Sequence, residues 1–363
     1  MRIGIYDPYL DDLGGGEKYM MTIAECLSKK HQVSVFWDNK KDIDTLLERF
    51  SIDLSSINIV PNIFSPTYSR LKRLAKTKDY DILILLSDGS IPVTLSKKTF
   101  LHIQQPLPFV SPSLKNRVKL KKINAVFCNS KFTKSFVDKE FNINSLVLYP
   151  PVDIKAKNIK KENIILNVGR FRVRDVTTLL NGKRVGVGDY KKQGLLVDVF
   201  KHMIKRGLTN WKLIIATSVR DEEFQIFEQL KKNAEGFPIE FLLNKSNDEL
   251  WETYSRAKIY WHASGFGENL EMHPEFAEHF GISTVEAMGA GCVPVVINAG
   301  GQKEIVSDGE DGFLFNTEKE LLDKTTKLIR DKRLIETISV KAIAKSQLFT
   351  TNKFCSNINS LIR

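Results

Sequence analysis

Short apolar runs alternate with segments of helical period along the whole chain. The runs RIGIY, QVSVFW, DILILL, TFLHI, NAVFC and SLVLY come first, and NIILNVG, KLIIA, PIEFLL, KIYWH, VPVVI and GFLF follow. Between them apolar side chains recur at helical spacing, as at Met20, Ile23, Ala24 and Leu27. Apolar strands that alternate with amphipathic helices are typical of parallel sheets covered on both faces, so we expect doubly wound α/β structure twice.

A polar stretch separates the two halves of this pattern. The segment PPVDIKAKNIKKEN, residues 150–163, has two prolines and several lysines between SLVLY and the next apolar run. A chain of 363 residues also exceeds the length at which single cores stop growing. We therefore predict one domain over residues 1–155 and a second over 156–345. Ligands of open α/β sheets bind outside the carboxyl ends of the strands, so the loops after strands hold the candidate site.

The charge balance of the chain indicates an anionic partner. There are 54 Lys and Arg residues against 43 Asp and Glu, a formal net charge of +11. Nucleic acid, an acidic membrane surface and a phosphorylated small molecule all fit that charge. No recognition helix or aromatic-basic RNA signature is present, and the basic residues are spread over both halves, so nucleic acid is not the expected partner.

The cysteine pattern and the chain's apolar runs predict the compartment. Cys26, Cys128, Cys292 and Cys355 form no CxxC pair and are far apart, so neither a disulfide nor a zinc site is expected. The chain begins directly with an apolar strand, and no apolar run reaches the roughly 18 residues that span a bilayer. We expect a cytoplasmic protein whose membrane contact, if any, is peripheral.

A run of three glycines, Gly14 to Gly16, follows the first apolar run and opens the first predicted helix. Glycine lets a backbone approach a phosphate closely, and the N–H groups of a helix N-terminus can bind one. The dinucleotide fingerprint GxGxxG and the P-loop GK[ST] are both absent. A tight turn without a ligand and a phosphate contact both remain open on these residues alone.

A richer segment lies in the second half, where EHFGISTVEAMGAG follows a long loop. Gly281 precedes Ile282 at a predicted helix start, with Glu278 in the loop before that helix and Glu286 inside it. Free N–H groups at a helix start suit a diphosphate, and carboxylates accept hydrogen bonds from sugar hydroxyls. Together these features predict a nucleotide-sugar site.

With these residues the chain resembles the retaining nucleotide-sugar glycosyltransferases of family 4, also called glycosyltransferase group 1. The E-x7-E motif EHFGISTVE carries the resemblance, as do the landmarks EAMGAG, the GG loop, FLHIQQP, NSKFT, YPPVD, VGRF and KKQ. The resemblance implies a GT-B fold, with two Rossmann-like doubly wound domains facing across a cleft. The acceptor would bind the N-terminal domain and the nucleotide sugar the C-terminal one, and a last helix over 346–363 would cross back to the first domain.

The resemblance also implies the roles of individual residues. The catalytic set would be His102, Arg170, Lys192 and Glu278. The donor-binding set would be Gly15, Gly16, Arg170, Lys192, Phe280, Gly281, Ile282, Ser283 and Glu286. Arg170 and Lys192 would hold the diphosphate, Glu278 the sugar hydroxyls and Glu286 the ribose. His102 would line the acceptor side, although a histidine at the end of an apolar strand is also often a hydrogen-bonded core residue.

The implied reaction transfers a hexose from a nucleotide diphosphate sugar to a hydroxyl of a glycan or polyprenyl-linked acceptor, with retention at the anomeric carbon. Mannosyltransferases that build lipid-linked oligosaccharides look most similar, so GDP-mannose is the expected donor. UDP-glucose or UDP-N-acetylglucosamine is the alternative donor. A non-catalytic nucleotide-sugar-binding protein is the alternative function.

No metal or other cofactor is expected, because cationic side chains replace the divalent ion in this family. Two DxD patterns, Asp42 to Asp44 and Asp79 to Asp81, fall in a predicted helix and at a strand start, where solvated or capping carboxylates are common. A second set could in principle bind zinc but matches no standard spacing: His262, His273, His279, Glu271 and Glu275. These side chains are instead expected to be polar loop residues.

Two basic runs lie in the first half of the chain, at Arg70 to Lys78 and Lys115 to Lys122. They are either solvated helix faces or a surface for anionic lipid headgroups.

The connection between Arg170 and Lys192 is longer than strand-to-helix connections usually are, so a flap over the cleft or a partner contact is expected there.

Overall fold

The computed structural model describes residues 1–12, 14–50, 52–87, 89–106, 114–173 and 189–363. These residues form two compact units, one of residues 1–151 with 349–363 and one of residues 152–348. The last part of the chain therefore packs with the first domain. The long connection predicted after Arg170 lies largely outside the described residues, which exclude 174–188.

The first domain is built around a parallel sheet with helices on its faces. Its elements are β1 (Arg2–Tyr6), α1 (Gly15–Ser28), β2 (Gln32–Phe36), α2 (Lys40–Phe50), β3 (Ile57–Val60), α3 (Arg70–Thr77), β4 (Ile82–Leu86), β5 (Lys98–Ile103), α4 (Leu114–Leu120), β6 (Ala125–Cys128), α5 (Lys131–Phe141), β7 (Leu146–Val147) and, at the end of the chain, α13 (Thr351–Leu361). Strand β3 was not among the predicted runs. It is an edge strand without a fully buried residue, so its sequence INIV has a weak apolar signal.

The second domain repeats this architecture. Its elements are β8 (Glu162–Val168), α6 (Gln193–Lys205), β9 (Lys212–Thr217), α7 (Phe224–Ala234), β10 (Ile239–Leu243), α8 (Asn247–Arg256), β11 (Ala257–His262), α9 (Ile282–Gly289), β12 (Val293–Ile297), α10 (Gln302–Ile305), β13 (Phe313–Phe315), α11 (Glu318–Arg330) and α12 (Lys332–Ser346). The predicted doubly wound α/β class is confirmed in both domains.

The strand order of each sheet determines where a ligand can bind. Among the described residues the first sheet runs β3-β2-β1-β4-β5-β6-β7 and the second β10-β9-β8-β11-β12-β13, and neighbouring strands are parallel. The order reverses direction between β1 and β4, and again between β8 and β11. Loops after the two strands at such a point splay apart and leave a crevice. In the second domain these loops carry Arg170 and Glu278.

The C-terminal helix α13 packs against α1. Phe354 and Ile358 of α13 are buried in the same apolar cluster as Tyr19 and other α1 residues. Cys355, next to Phe354, is joined to Cys26 of α1 by a disulfide with a Cα–Cα distance of 5.2 Å. The prediction that the cysteines form no disulfide is therefore wrong. Spacing along the chain could not reveal the pair, because 329 residues separate its members and only the return of α13 brings them together.

Within the part of the chain that the structure describes, no helix combines the length and apolar character needed to cross a bilayer.

The disulfide gives a prediction about stability. Because a bond between Cys26 and Cys355 restricts the unfolded chain, replacing both cysteines with serine should lower the free energy of unfolding of the first domain by about 2–4 kcal/mol. Denaturant melts with and without dithiothreitol measure this loss, and reductant should destabilise the wild-type protein alone. A wild-type protein that has four reactive thiols after denaturation without reductant would contradict the bond.

Candidate functional site

The glycine run of the first domain forms the start of helix α1. The backbone N–H of Gly14 donates to Glu17 Oε2 at 2.6 Å, which satisfies one N–H group at the helix start. Gly15 is exposed, whereas Gly16 lies against Gln104, whose side-chain amide a Cβ at position 16 would meet. Glycine at position 16 therefore allows α1 to approach the residues after β5 closely.

A buried carboxyl group lies beside this loop. Asp7 follows β1 and is fully buried, and its Oδ1 accepts the backbone N–H of Tyr9 at 2.9 Å. Burial, reinforced by the negative charge of Glu17, raises the pKa of Asp7 to about 8. The side chain is thus mostly protonated at neutral pH and adds little negative charge to the glycine loop.

His102 lies in β5 within the core of the first domain. Its ring stacks against Tyr19, at a centroid distance of 4.2 Å, and against Phe127, at 4.8 Å. Nδ1 lies 3.1 Å from the Phe127 carbonyl oxygen, so Nδ1 carries the proton and Nε2 keeps its lone pair. Nε2 has no hydrogen-bond partner in the described structure. Burial lowers the pKa of His102 to about 3, and the ring is neutral.

The second domain contains an ion pair at the point where its strand order reverses. Lys191 Nζ lies 2.7 Å from Glu278 Oε2, and the two side chains are 20% and 22% exposed. The Nε2–H of His262, the last residue of β11, donates to the same carboxylate oxygen at 3.0 Å. Burial alone would raise the pKa of Glu278, but Lys191 and His262 outweigh it and hold that pKa well below its usual value. Glu278 is therefore a fixed anion.

Lys192, the predicted cation, has a different partner. Its Nζ lies 2.6 Å from Glu268 Oε1. Glu268 belongs to the loop over residues 265–277, here called the acidic loop because it also contains Glu271 and Glu275. The backbone of Lys192 has φ 58°, at the N-cap of α6. The structure thus brings Lys191 to Glu278, whereas Lys192 faces the adjacent loop. Lys191 was not among the predicted residues, because two adjacent lysines are indistinguishable without knowing the local backbone. The role predicted for Lys192 stays a prediction.

Arg170 follows β8, and its side chain is exposed. The residue before it, Gly169, donates its backbone N–H to Ala216 O at 3.1 Å, which holds the end of β8 against β9. Arg170 therefore stands at the carboxyl edge of the sheet, on the loop that also leads to Lys191.

Helix α9 begins directly after the Glu278 loop. Gly281 is its N-cap with φ 121°, a conformation that favours glycine, and Ile282 is the first helical residue. Phe280 is buried, and Ser283 Oγ accepts the hydroxyl of Tyr260 at 2.8 Å. The predicted donor-binding residues of this segment therefore share one helix start.

Glu286 lies one turn inside α9. Its Oε2 accepts the hydroxyl of buried Tyr254 at 3.0 Å, and its side chain is only partly buried. One oxygen of the carboxylate is thus oriented by the protein core.

The GG loop holds the Glu278 segment in place. Gly301 donates its backbone N–H to Glu278 O at 2.8 Å. A Cβ on Gly301 would lie 2.5 Å from Phe280 O and 2.6 Å from His279 O, closer than real Cβ atoms come. A Cβ on Gly300, where φ is 58°, would meet Glu278 O. Glycine at both positions allows the two backbones to touch.

The alternative metal sites are not assembled among the described residues. No three His, Cys, Asp or Glu side chains there are arranged to hold a metal ion. His273 Nδ1 pairs with Glu275 Oε1 at 3.1 Å, while His262 faces Glu278. Asp81 of the second DxD pattern accepts Lys97 Nζ at 2.7 Å and the N–H of Arg2 at 2.8 Å.

The candidate site is distinct from a large cavity in the same domain. A cavity of about 690 Å³ is lined by Glu162, Lys212, Pro238 and Trp211. Glu162 and Lys212 start strands β8 and β9, so this cavity lies at the amino edge of the sheet, away from Lys191 and Glu278.

Residues 185–345 match the family model described as glycosyl transferases group 1. Among curated proteins, the chain is 24% identical over 323 residues to a Dictyostelium discoideum GDP-Man:Man(3)GlcNAc(2)-PP-Dol alpha-1,2-mannosyltransferase, covering 84% of this chain and 57% of that protein. A Caenorhabditis elegans protein of the same name is 31% identical over 198 residues, covering 51% of this chain and 38% of that protein. The chain thus spans roughly half the length of these relatives or less.

Solved structures with the same fold cover the whole chain. Anabaena Alr3699/HepE in complex with UDP and glucose aligns with a TM-score of 0.70 at 20% identity, covering 100% of this chain and 99% of that one. A glycosyltransferase from Rickettsia africae ESF-5 aligns with a TM-score of 0.74 at 15% identity, covering 99% and 97%. These likenesses confirm the predicted GT-B fold class.

The contact between the GG loop and the Glu278 segment gives a prediction. Gly301→Ala should push the backbone of His279 and Phe280 away, because the added methyl group overlaps main-chain atoms that cannot rotate aside. We expect a loss of about 1–3 kcal/mol of stability and faster amide hydrogen exchange over residues 277–282.

Gly194→Ala is the matched control. A Cβ at position 194 lies 3.9 Å from Leu230 Cδ1, an ordinary contact, and alanine favours a helix, so this variant should melt no lower than the wild type. Equal melting and equal exchange for both variants would contradict the proposed support of Glu278.

Proposed function

From the match of residues 185–345 to the model of the glycosyl transferases group 1, we propose that the chain transfers mannose from GDP-mannose to a hydroxyl of a lipid-linked glycan. The names of the sequence relatives support this donor and this class of acceptor. The observation that carries the proposal is the Lys191–Glu278 pair at the start of α9. It combines a cation for a diphosphate with a carboxylate for hydroxyl groups.

Charge on the leaving group is the main chemical problem of this reaction. When the bond between the anomeric carbon and the diphosphate oxygen breaks, its electron pair stays on the diphosphate as negative charge. Lys191, Arg170 and the N–H groups at the start of α9 would stabilise that charge, because they are already oriented when the bond breaks. In this proposal Lys191 binds the diphosphate, the role that the KKQ motif alone predicted for Lys192.

Glu278 would orient the sugar rather than attack it. Its low pKa keeps it ionised, so it accepts hydrogen bonds from hydroxyl groups at all moderate pH values. Its pairing with Lys191 and His262 lowers its nucleophilicity, because both partners stabilise the carboxylate charge. Glu286, oriented by Tyr254, would accept the ribose hydroxyls of the nucleotide.

Retention then requires attack from the face that the diphosphate leaves. The acceptor oxygen bonds to the anomeric carbon, the carbon–phosphate oxygen bond breaks, and the acceptor proton passes to a phosphate oxygen. No step needs a divalent ion, so we propose metal-independent transfer. The lone pair on His102 Nε2 would accept a hydrogen bond from a substrate hydroxyl, and the backbone at Gly15 and Gly16 would lie close to the substrate at the start of α1.

The decisive test is sugar transfer by the purified protein. With GDP-mannose and a lipid-linked oligosaccharide acceptor, we expect an α-linked product by NMR and unchanged activity in excess EDTA. Lys191→Ala and Glu278→Gln should each lower kcat/KM by roughly 10²-fold, the usual cost of removing one stabilising contact to a transition state. Lys212→Ala, which breaks the exposed pair with Glu240, is the matched control and should not lower it.

Other outcomes of this assay correct the proposal. Transfer from UDP-glucose or UDP-N-acetylglucosamine alone would replace the donor, a β-linked product would exclude retention, and an EDTA-sensitive rate would exclude metal independence. Full activity of Lys191→Ala would contradict the site.

Helix α3 of the first domain supports a peripheral membrane contact. Leu71 is 80% exposed, and exposed basic side chains surround it on the same short helix at Arg70, Lys72 and Lys76. Arg73 instead points inward, where its Nε donates to Ile63 O at 3.2 Å. We infer that this surface binds anionic headgroups of the membrane that carries the acceptor.

Replacing Arg70, Lys72 and Lys76 with glutamine should therefore abolish co-sedimentation with liposomes that contain about 30% anionic lipid. The wild-type protein should sediment at low salt and be released at high salt, because headgroup attraction is screened. If the wild-type protein and the triple variant sediment equally, α3 is a solvated helix face instead.

A further inference from the structure

Side chains of the turn before helix α6 alternate between two directions. Tyr190 and Lys192 contact the acidic loop over residues 265–277, whereas Lys191 between them reaches Glu278. The turn and the loop follow β8 and β11, the two strands at which the strand order reverses. The direction of Lys191 is therefore determined by its two neighbours.

The first attachment is the ion pair between Lys192 and Glu268. The two side chains are 22% and 17% exposed, and Nζ lies 2.6 Å from Oε1. A pair shielded from water to this degree is screened less by solvent than one at the open surface. It fixes a long lysine side chain at the N-terminus of α6, a helix end that otherwise repels cations.

The second attachment is the hydroxyl of Tyr190. It donates to Glu275 O at 2.7 Å, in the part of the acidic loop just before Glu278. Lys191 Nζ lies 5.3 Å from the centre of the Tyr190 ring. The ring therefore supports the ammonium group from one side through a cation–π contact.

The backbone of the turn is held by a third residue. Asp189 accepts the N–H of Lys191 at 2.9 Å and that of Gly194 at 2.9 Å. Lys192 adopts φ 58°, a left-handed conformation that costs free energy in a residue other than glycine. The pair with Glu268 offsets part of this cost, since it forms only when the turn is closed.

We propose that the acidic loop is a positioning element for Lys191, acting through Glu268 on Lys192 and through Tyr190. This inference rests on the proposed function, in which Lys191 binds the diphosphate. Lys192 then acts as a positioning residue, and Glu268 favours binding of an anion although it is itself negative. Without the loop, Lys191 would lose its fixed direction.

The direction in which Glu268→Gln changes the affinity for an anion distinguishes a positioning role of Lys192 from direct contact with the diphosphate. If Lys192 touched the diphosphate, Glu268→Gln would free a cation and strengthen anion binding. If Glu268 positions the turn, the same change weakens binding, because the turn loosens around Lys191. Inorganic pyrophosphate is a suitable probe, since it contains the diphosphate shared by every candidate donor.

We therefore expect calorimetry to show about fivefold weaker pyrophosphate binding for Glu268→Gln and for Lys192→Met, as for a small displacement of a contact group. The double variant should be no weaker than either single variant, because both remove the same interaction. Tyr190→Phe, which loses only the hydroxyl, should weaken binding too. Glu240→Gln breaks an exposed pair elsewhere in the domain and should bind as the wild type does.

Wild-type or tighter binding by Glu268→Gln, or additive losses in the double variant, would overturn the positioning role. Thermal melts confirm that each variant is folded. If Glu268→Gln is not folded, the pyrophosphate affinity of Tyr190→Phe tests the positioning role. Transfer from GDP-mannose is measured separately. If the variants show the expected changes in pyrophosphate affinity but the wild-type protein transfers no sugar, the proposed function is wrong and the positioning role is not.

Discussion

The ion pair between Lys191 and Glu278 is the interaction on which the candidate site depends. It joins the loop after β8 to the loop after β11 at the point where the strand order of the second sheet reverses. Both charges are mostly shielded from water, and His262 supports the carboxylate from the end of β11. A site built on this pair has an anion and a cation already desolvated and oriented, so less reorganisation is needed when a substrate binds.

Much of the surrounding sequence serves to hold the two ends of this pair. The GG loop presses against the backbone of residues 278–280, which only glycine at Gly300 and Gly301 permits. On the other side, Asp189 closes the turn that carries Lys191. The helix N-terminus at Gly281 completes the arrangement with N–H groups. No side chain, however small, can therefore replace glycine at Gly300 and Gly301 without displacing the backbone, because main-chain atoms occupy the space that the side chain would need.

The sequence predicted the fold class and the segment 278–286 because both depend on local patterns. Apolar runs predict buried parallel strands. A glycine before a helix, with carboxylates on either side of it, predicts a helix start that binds a ligand. Edge strand β3 was missed because its residues are half exposed. The Cys26–Cys355 bond was missed because it depends on where α13 returns. That Lys191 rather than Lys192 faces Glu278 could not be predicted either, because the direction of each side chain depends on the left-handed backbone at Lys192. His102 combines the contacts of a core residue with one nitrogen that has no described partner, so its catalytic role stays a prediction.

A crystal structure of the protein with GDP bound would test most directly whether the Lys191–Glu278 pair forms the donor site. We expect density for the β-phosphate within about 3 Å of Lys191 Nζ, the usual length of such hydrogen bonds, beside the N–H groups at the start of α9. Lys192 should remain paired with Glu268. A diphosphate bound to Lys192 instead, or at the cavity beside Trp211, would contradict the claim that the Lys191–Glu278 pair forms the donor site.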